Sequence, residues 1–124
     1  MGNGARRILV VDDDADIRYV LSVVLEEDGY QVVTATDGAD ALAAVAQAPP
    51  DLILLDLVMP VMDGWQFAAA YRRTPPPLAP ILVYSAHRLD ERDLEEIAPA
   101  GVLEKPCDLD TLLAAVARYA RRPE

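Results

Sequence analysis

The chain has one cysteine, one histidine and one lysine in 124 residues. The lone Cys107 excludes an internal disulfide and fits a reducing compartment. The lone His87 has no second histidine with which to build a typical zinc site. Basic charge is also scarce: 11 Lys and Arg face 21 Asp and Glu, for a net charge of −10. Such a balance argues against nucleic-acid binding by this domain itself and is compatible with cations. No apolar run approaches the roughly 20 residues needed to cross a bilayer, so no membrane association is expected. The first short apolar run ends in Asp12-Asp13-Asp14, which a signal peptide would not tolerate. Together these absences predict a cytoplasmic protein.

Hydrophobic residues make up 52% of the chain and charged residues 26%, a globular balance at a length suited to one domain. Residues 6–11 form a β-branched run that reads as a buried strand. In 14–28, Ile17, Val20, Leu21, Val24 and Leu25 recur at helical spacing, and Gly29 is placed to end the helix. Residues 31–35 read as a strand. An alanine-rich helix follows over 37–46, with Thr36 or Asp37 as its cap, and Pro49 and Pro50 close its loop. Residues 52–55 are apolar on both faces, as in a parallel strand covered by helices. A loop over 59–64 leads to a helix over 65–73, and Pro75-Pro76-Pro77 predicts an extended connection. A strand over 81–85, a short charged helix over 90–97, a strand over 101–104 and a helix over 108–121 complete the chain. Five strand–helix repeats imply a parallel sheet with helices on both sides. No linker or low-complexity tract interrupts them.

In doubly wound sheets, function gathers at the carboxyl ends of the strands. Asp12, Asp13 and Asp14 follow the first strand, Asp56 the third and Lys105 the fifth, while Ser85 closes the fourth. With strands one and three adjacent, Asp12, Asp13 and Asp56 converge. Three carboxylates in one crevice repel each other unless a cation joins them. Mg²⁺ suits such oxygen donors. Lys105 would add a second positive charge and Ser85 a hydroxyl donor, a set able to stabilise a transferring phosphoryl group. One carboxylate must then be the nucleophile. Asp56 is the best candidate because it stands alone at the end of a buried strand.

Ile8-Leu9-Val10-Val11-Asp12-Asp13-Asp14, the run from Asp56 to Gly64, Tyr84-Ser85-Ala86 and Lys105-Pro106 resemble response-regulator receiver domains, in order and approximate spacing over about 6–121. The resemblance implies a single flavodoxin-like (βα)5 domain over 1–124, strand order 2-1-3-4-5, with no output domain in this chain. It implies phosphorylation of Asp56 by a sensor histidine kinase or histidine phosphotransfer protein. The ion would be Mg²⁺ (or Mn²⁺), held directly by Asp13 and Asp56, through water by Asp12, and by the backbone carbonyl of Val58. Ser85 takes the switch hydroxyl position and Lys105 the conserved-type lysine, with a cis Lys105–Pro106 bond. Gly64 after Asp63 would serve a tight turn. Such a domain is a switch for a downstream output protein or domain rather than a turnover enzyme, although it promotes its own phosphoryl transfer and hydrolysis. Pairing through the fourth and fifth helical faces would give a homodimer.

Two positions depart from the family pattern. Val102 stands where an aromatic residue usually swings inward, so the loop over 86–90 is expected to carry more of the conformational change. His87 and Val58 occupy positions that tune phosphoryl lifetime. Blander readings hold elsewhere: Asp14 and Asp16 as helix-start acids, Trp65 and Tyr71 as helix packing, His87 as an exposed loop residue, and Arg72-Arg73 and Arg121-Arg122 as helix C-terminal charges. An EF-hand reading of Asp12, Asp14 and Asp16 fails at Ile17 and Val23, where Gly and Glu are required. A haloacid-dehalogenase-type phosphatase would need a capping region and more chain. A pseudo-receiver that binds partners without phosphorylation keeps the fold but leaves the full acid, serine and lysine set without a use.

Overall fold

In the computed structural model, residues 5–120 are described. The elements alternate without exception: β1 Arg7–Val11, α1 Ala15–Glu27, β2 Gln31–Ala35, α2 Gly38–Gln47, β3 Leu52–Leu55, α3 Gly64–Tyr71, β4 Ile81–Ser85, α4 Glu91–Ile97, β5 Gly101–Glu104 and α5 Leu109–Tyr119. All strand pairings are parallel and the order is β2-β1-β3-β4-β5, the expected flavodoxin-like topology.

The apolar runs form the central strands because both of their faces are covered. Leu52, Ile53, Leu54 and Leu55 are buried, as are Ile8 to Val11. One core packs Leu9, Val11, Ile53, Leu55 and Phe67 under α2, α3 and α4. The other packs Ile8, Val10, Leu54, Leu82, Leu112 and Val116 under α1 and α5. α4 contributes one buried residue, Ile97.

Every helix is capped by an aspartate. Asp14, Asp37, Asp63, Asp90 and Asp108 each accept backbone N–H groups of the first turn. Capping of this kind stabilises a helix by about 1 kcal/mol. It also explains why most predicted helices started one residue early: an N-cap lies outside the helix it caps. At the other end of α1, Gly29 adopts φ 98°, a left-handed conformation that suits glycine. Four C-terminal bounds change as well, the first being α1, which ends at Glu27 with Asp28 as its C-cap. α2 ends at Gln47 and α3 at Tyr71. α5 ends at Tyr119, while Arg121 and Arg122 lie outside the described residues. Arg72 is the C-cap of α3, and its guanidinium donates to the carbonyls of Ile97 and Ala98, tying α3 to the end of α4. The Lys105–Pro106 bond is cis as expected. Pro76–Pro77 is also cis, which the extended reading of that segment did not anticipate.

Candidate functional site

Parallel pairing of β1 with β3 aligns Val11 with Leu55. The backbone N–H of Asp56 donates to the Val11 carbonyl at 2.9 Å, so Asp12 and Asp56 leave the sheet side by side. Asp12, Asp13 and Asp56 offer carboxylate oxygens that all lie within 4.8 Å of one another. Asp12 and Asp56 are buried and Asp13 is exposed. β5 delivers the cation. The backbone N–H of Lys105 donates to the Ser85 carbonyl at 3.0 Å. Its Nζ stands 2.8 Å from Asp12 Oδ2 and 3.7 Å from Asp56 Oδ2.

Electrostatics makes the crevice uneasy. Burial, followed by the charge of Asp12, pushes the Asp56 carboxyl above its ordinary value; Lys105 and a hydrogen bond from the Leu57 N–H pull the other way. Burial works against the Lys105 ammonium, but its hydrogen bond to Asp12 and the charges of Asp12 and Asp56 hold its pKa above the ordinary value. One ammonium thus serves two of the three clustered carboxylates. A hard divalent cation fits this donor set, which is all oxygen and open on the Asp13 side.

The remaining predicted residues divide. Ser85 is buried, and its Oγ accepts from the His87 N–H at 3.1 Å. Val58 lies in the loop after Asp56 with an exposed side chain. Val102 sits on the edge strand, 40% exposed and away from the acid cluster. His87 is exposed as expected but not idle. Its ring meets Trp65 edge-on at 5.1 Å, and its Nε2 lies 3.5 Å from Asp93 Oδ2. Trp65 Nε1 donates to Asp93 Oδ1 at 3.0 Å, so Trp65 does more than fill a helix face. Asp93 also closes the cap of α4 by accepting from the Asp90 N–H. A chain of contacts therefore runs from the Ser85 hydroxyl through His87 to the start of α4.

Three further residues escaped the sequence reading. Arg18 donates to the Asp12 carbonyl at 2.8 Å. Asp93 hid among the acids of a charged helix. Tyr84 lies beneath Lys105, with Nζ 5.2 Å from its ring centroid. A single tyrosine inside an otherwise aliphatic strand, next to the serine, was the available signal.

The loop after Asp56 is tightly built. A Cβ on Gly64 would come within 2.8 Å of the Asp56 carbonyl oxygen, and one on Gly38 within 2.6 Å of Met62 Cγ. The Gly64 N–H donates to the Leu57 carbonyl and the Gly38 N–H to the Met62 carbonyl. Between them Val61 adopts φ 68°, with the Met62 N–H donating to the Pro60 carbonyl at 2.7 Å. A β-branched residue in this three-residue turn is strained.

A family model described as the response regulator receiver domain matches residues 8–117. The transcriptional regulatory protein KdpE of Mycobacterium tuberculosis is 39% identical over 118 residues, covering 93% of this chain and 51% of that protein. Sporulation initiation phosphotransferase F of Bacillus subtilis is 33% identical over 114 residues, covering 91% and 92%. The response regulator TrrA of Thermotoga maritima, solved in complex with Mg²⁺-BeF, superposes with a TM-score of 0.82 at 33% identity, covering 92% of this chain and 98% of that one. The chain belongs to the response regulator receiver domain family. It spans about half the length of the first curated relatives it matches.

Proposed function

We propose that Asp56 accepts a phosphoryl group from a histidine-bearing donor, a sensor kinase or a phosphotransfer protein, in a reaction that requires Mg²⁺ or Mn²⁺. The observation that carries this reading is the single ammonium of Lys105 shared between two buried carboxylates, with a third carboxylate open to solvent. Asp12, Asp13 and Asp56, with the Val58 carbonyl, would hold the ion. When bound it would supply charge neutralisation for the incoming phosphoryl group. Asp56 attacks phosphorus through one carboxylate oxygen. The donor P–N bond breaks, and the imidazole leaves with the electron pair and takes up a proton. Lys105 and the Ser85 hydroxyl meet the phosphoryl oxygens. The Mg²⁺ complex of the Thermotoga relative supports the choice of ion.

The domain then works as a switch. The new group adds about −1.5 to −2 of charge, taking phosphoesters as the guide. Ser85 draws toward it and gives up its bond from the His87 N–H. Because Val102 offers no aromatic ring, the 86–90 loop and α4 carry the change. The altered α4, β5 and α5 surface meets a downstream output partner or a second copy of the chain. The whole chain acts as one receiver unit, read as cytoplasmic; among the described residues no helix is long and apolar enough to cross a membrane.

Intact mass after incubation with acetyl phosphate, with and without Mg²⁺, tests the chemistry. One phosphoryl group added only with the ion supports it. No addition to a folded, Mg²⁺-binding protein would leave a phosphorylation-independent binding module. Amide exchange in 86–90 tests the coupling: exchange unchanged by phosphorylation contradicts it.

A further inference from the structure

Lys105 is held by three neighbours. Two are carboxylates, Asp12 at 2.8 Å and Asp56 at 3.7 Å; the third is the Tyr84 ring, 5.2 Å from Nζ to its centroid. The proposed reaction uses up the first two. Asp12 turns to the cation, and Asp56 becomes an acyl phosphate. The aromatic ring is the neighbour that the chemistry leaves untouched.

A lysine side chain is a point charge on a flexible four-carbon stem, and fixing it costs conformational entropy. A ring face beneath the ammonium narrows its choices, because the negative face of the π system attracts the cation. Tyr84 is itself fixed. It packs beside the buried Leu82 and Leu112 core, and its outer side lines a shallow apolar groove with Ile17, Val20, Leu21 and Leu109. The strand sets its position one residue before Ser85, and the two alternate sides of the sheet. Ser85 therefore faces the His87 loop, while Tyr84 reaches Lys105 from the α1 and α5 side.

We propose that Tyr84 is a positioning residue for Lys105: its ring keeps the ammonium over the Asp12–Asp56 crevice while both carboxylates are engaged by cation and phosphoryl group. This rests on the phosphoryl-acceptor reading above. It acts through the ring face, so the phenol hydroxyl is dispensable. It acts on Lys105, so cation binding by the carboxylates is independent of it.

Lys105 is the chain's only lysine, which makes a direct test practical. Protein grown with isotope-labelled lysine gives one ε-methylene signal without assignment. In metal-free wild type that signal is expected to lie upfield, shifted by the Tyr84 ring current. Tyr84→Phe should keep the shift and Tyr84→Leu should lose it. With acetyl phosphate at saturating Mg²⁺, Tyr84→Leu should take up phosphoryl about 3- to 30-fold more slowly, the range of a cation–π contact at a partly desolvated site. Tyr84→Phe should react at the wild-type rate, and all three should share one half-saturating Mg²⁺ concentration.

An unshifted wild-type signal overturns the proposal without any variant having to fold. So does a Tyr84→Leu protein as fast as wild type, or a Tyr84→Phe protein as slow as Tyr84→Leu. Wild type that keeps the shift but never takes up phosphoryl would instead contradict the acceptor reading.

Discussion

The two ends of the sheet are built to different standards. At the amino end most polar groups are matched, the buried Nε of Arg6 being the exception. The Arg7 N–H donates to Asp51 Oδ2 at 2.7 Å, and the Arg7 guanidinium donates to the Pro49 carbonyl at 3.1 Å. The Asp51 N–H donates back to the Arg7 carbonyl. At the carboxyl end two buried acids share one ammonium, and Val61 is held in a strained turn in the loop that follows Asp56. The same strands run through both ends, so the fold does not force the difference. Instability is concentrated where a cation and a phosphoryl group would relieve it, a distribution expected of a site kept for chemistry.

Substitutions at both ends of the sheet, and added Mg²⁺, can break or sharpen this contrast. Lys105→Met removes the shared ammonium and leaves the carboxylates facing one another, so it should lower stability by about 3 kcal/mol in metal-free buffer, the scale of breaking a buried pair from one side. Urea unfolding checks this, and an unchanged midpoint would mean the carboxylates are not under stress. Mg²⁺ at a hundred times its Kd should raise stability by about 2.7 kcal/mol in wild type, and by far less in Asp13→Asn. Equal thermal shifts would move the ion away from this cluster.

Asp56→Asn should stabilise the metal-free protein by on the order of 1–2 kcal/mol at neutral pH, since it discharges a crowded buried acid. The pH dependence has a definite sign. Asp56 is held above its ordinary value, so the folded chain binds this proton more tightly than the unfolded chain. Its penalty is complete above the raised value and fades as the pH falls through that value toward 3.8. The advantage of Asp56→Asn should shrink over the same window, as followed by melting temperature. Smallest, Val61→Gly should stabilise by about 1 kcal/mol by relieving the turn, whereas Asp51→Ala at the opposite end should cost about 1 kcal/mol. If Val61→Gly destabilises instead, the loop is not strained.

Most of the fold was legible because burial on both faces leaves an unmistakable run, as in Leu52 to Leu55. The site acids were legible because each follows such a run. Most helix starts were set one residue early because an aspartate N-cap looks like a first-turn acid, while α3 was set one residue late, at Trp65. What one sequence could not disclose was pairing across long separations. Lys105 was placed at the acid crevice, but not its direct bond to Asp12 across 93 positions, and the meeting of Trp65 with Asp93 across 28 was not foreseen. Tyr84 looked like one more strand residue until its neighbours were placed around it.

The most direct test is the identity of the acceptor. Borohydride reduction of phosphorylated protein, followed by peptide mapping, converts an aspartyl phosphate into homoserine at the position that carried it. Homoserine at position 56, and none at 12 or 13, is the predicted result. Label at Asp12 or Asp13, or none at any aspartate in protein that has gained a phosphoryl group, would contradict the assignment of Asp56 as the nucleophile.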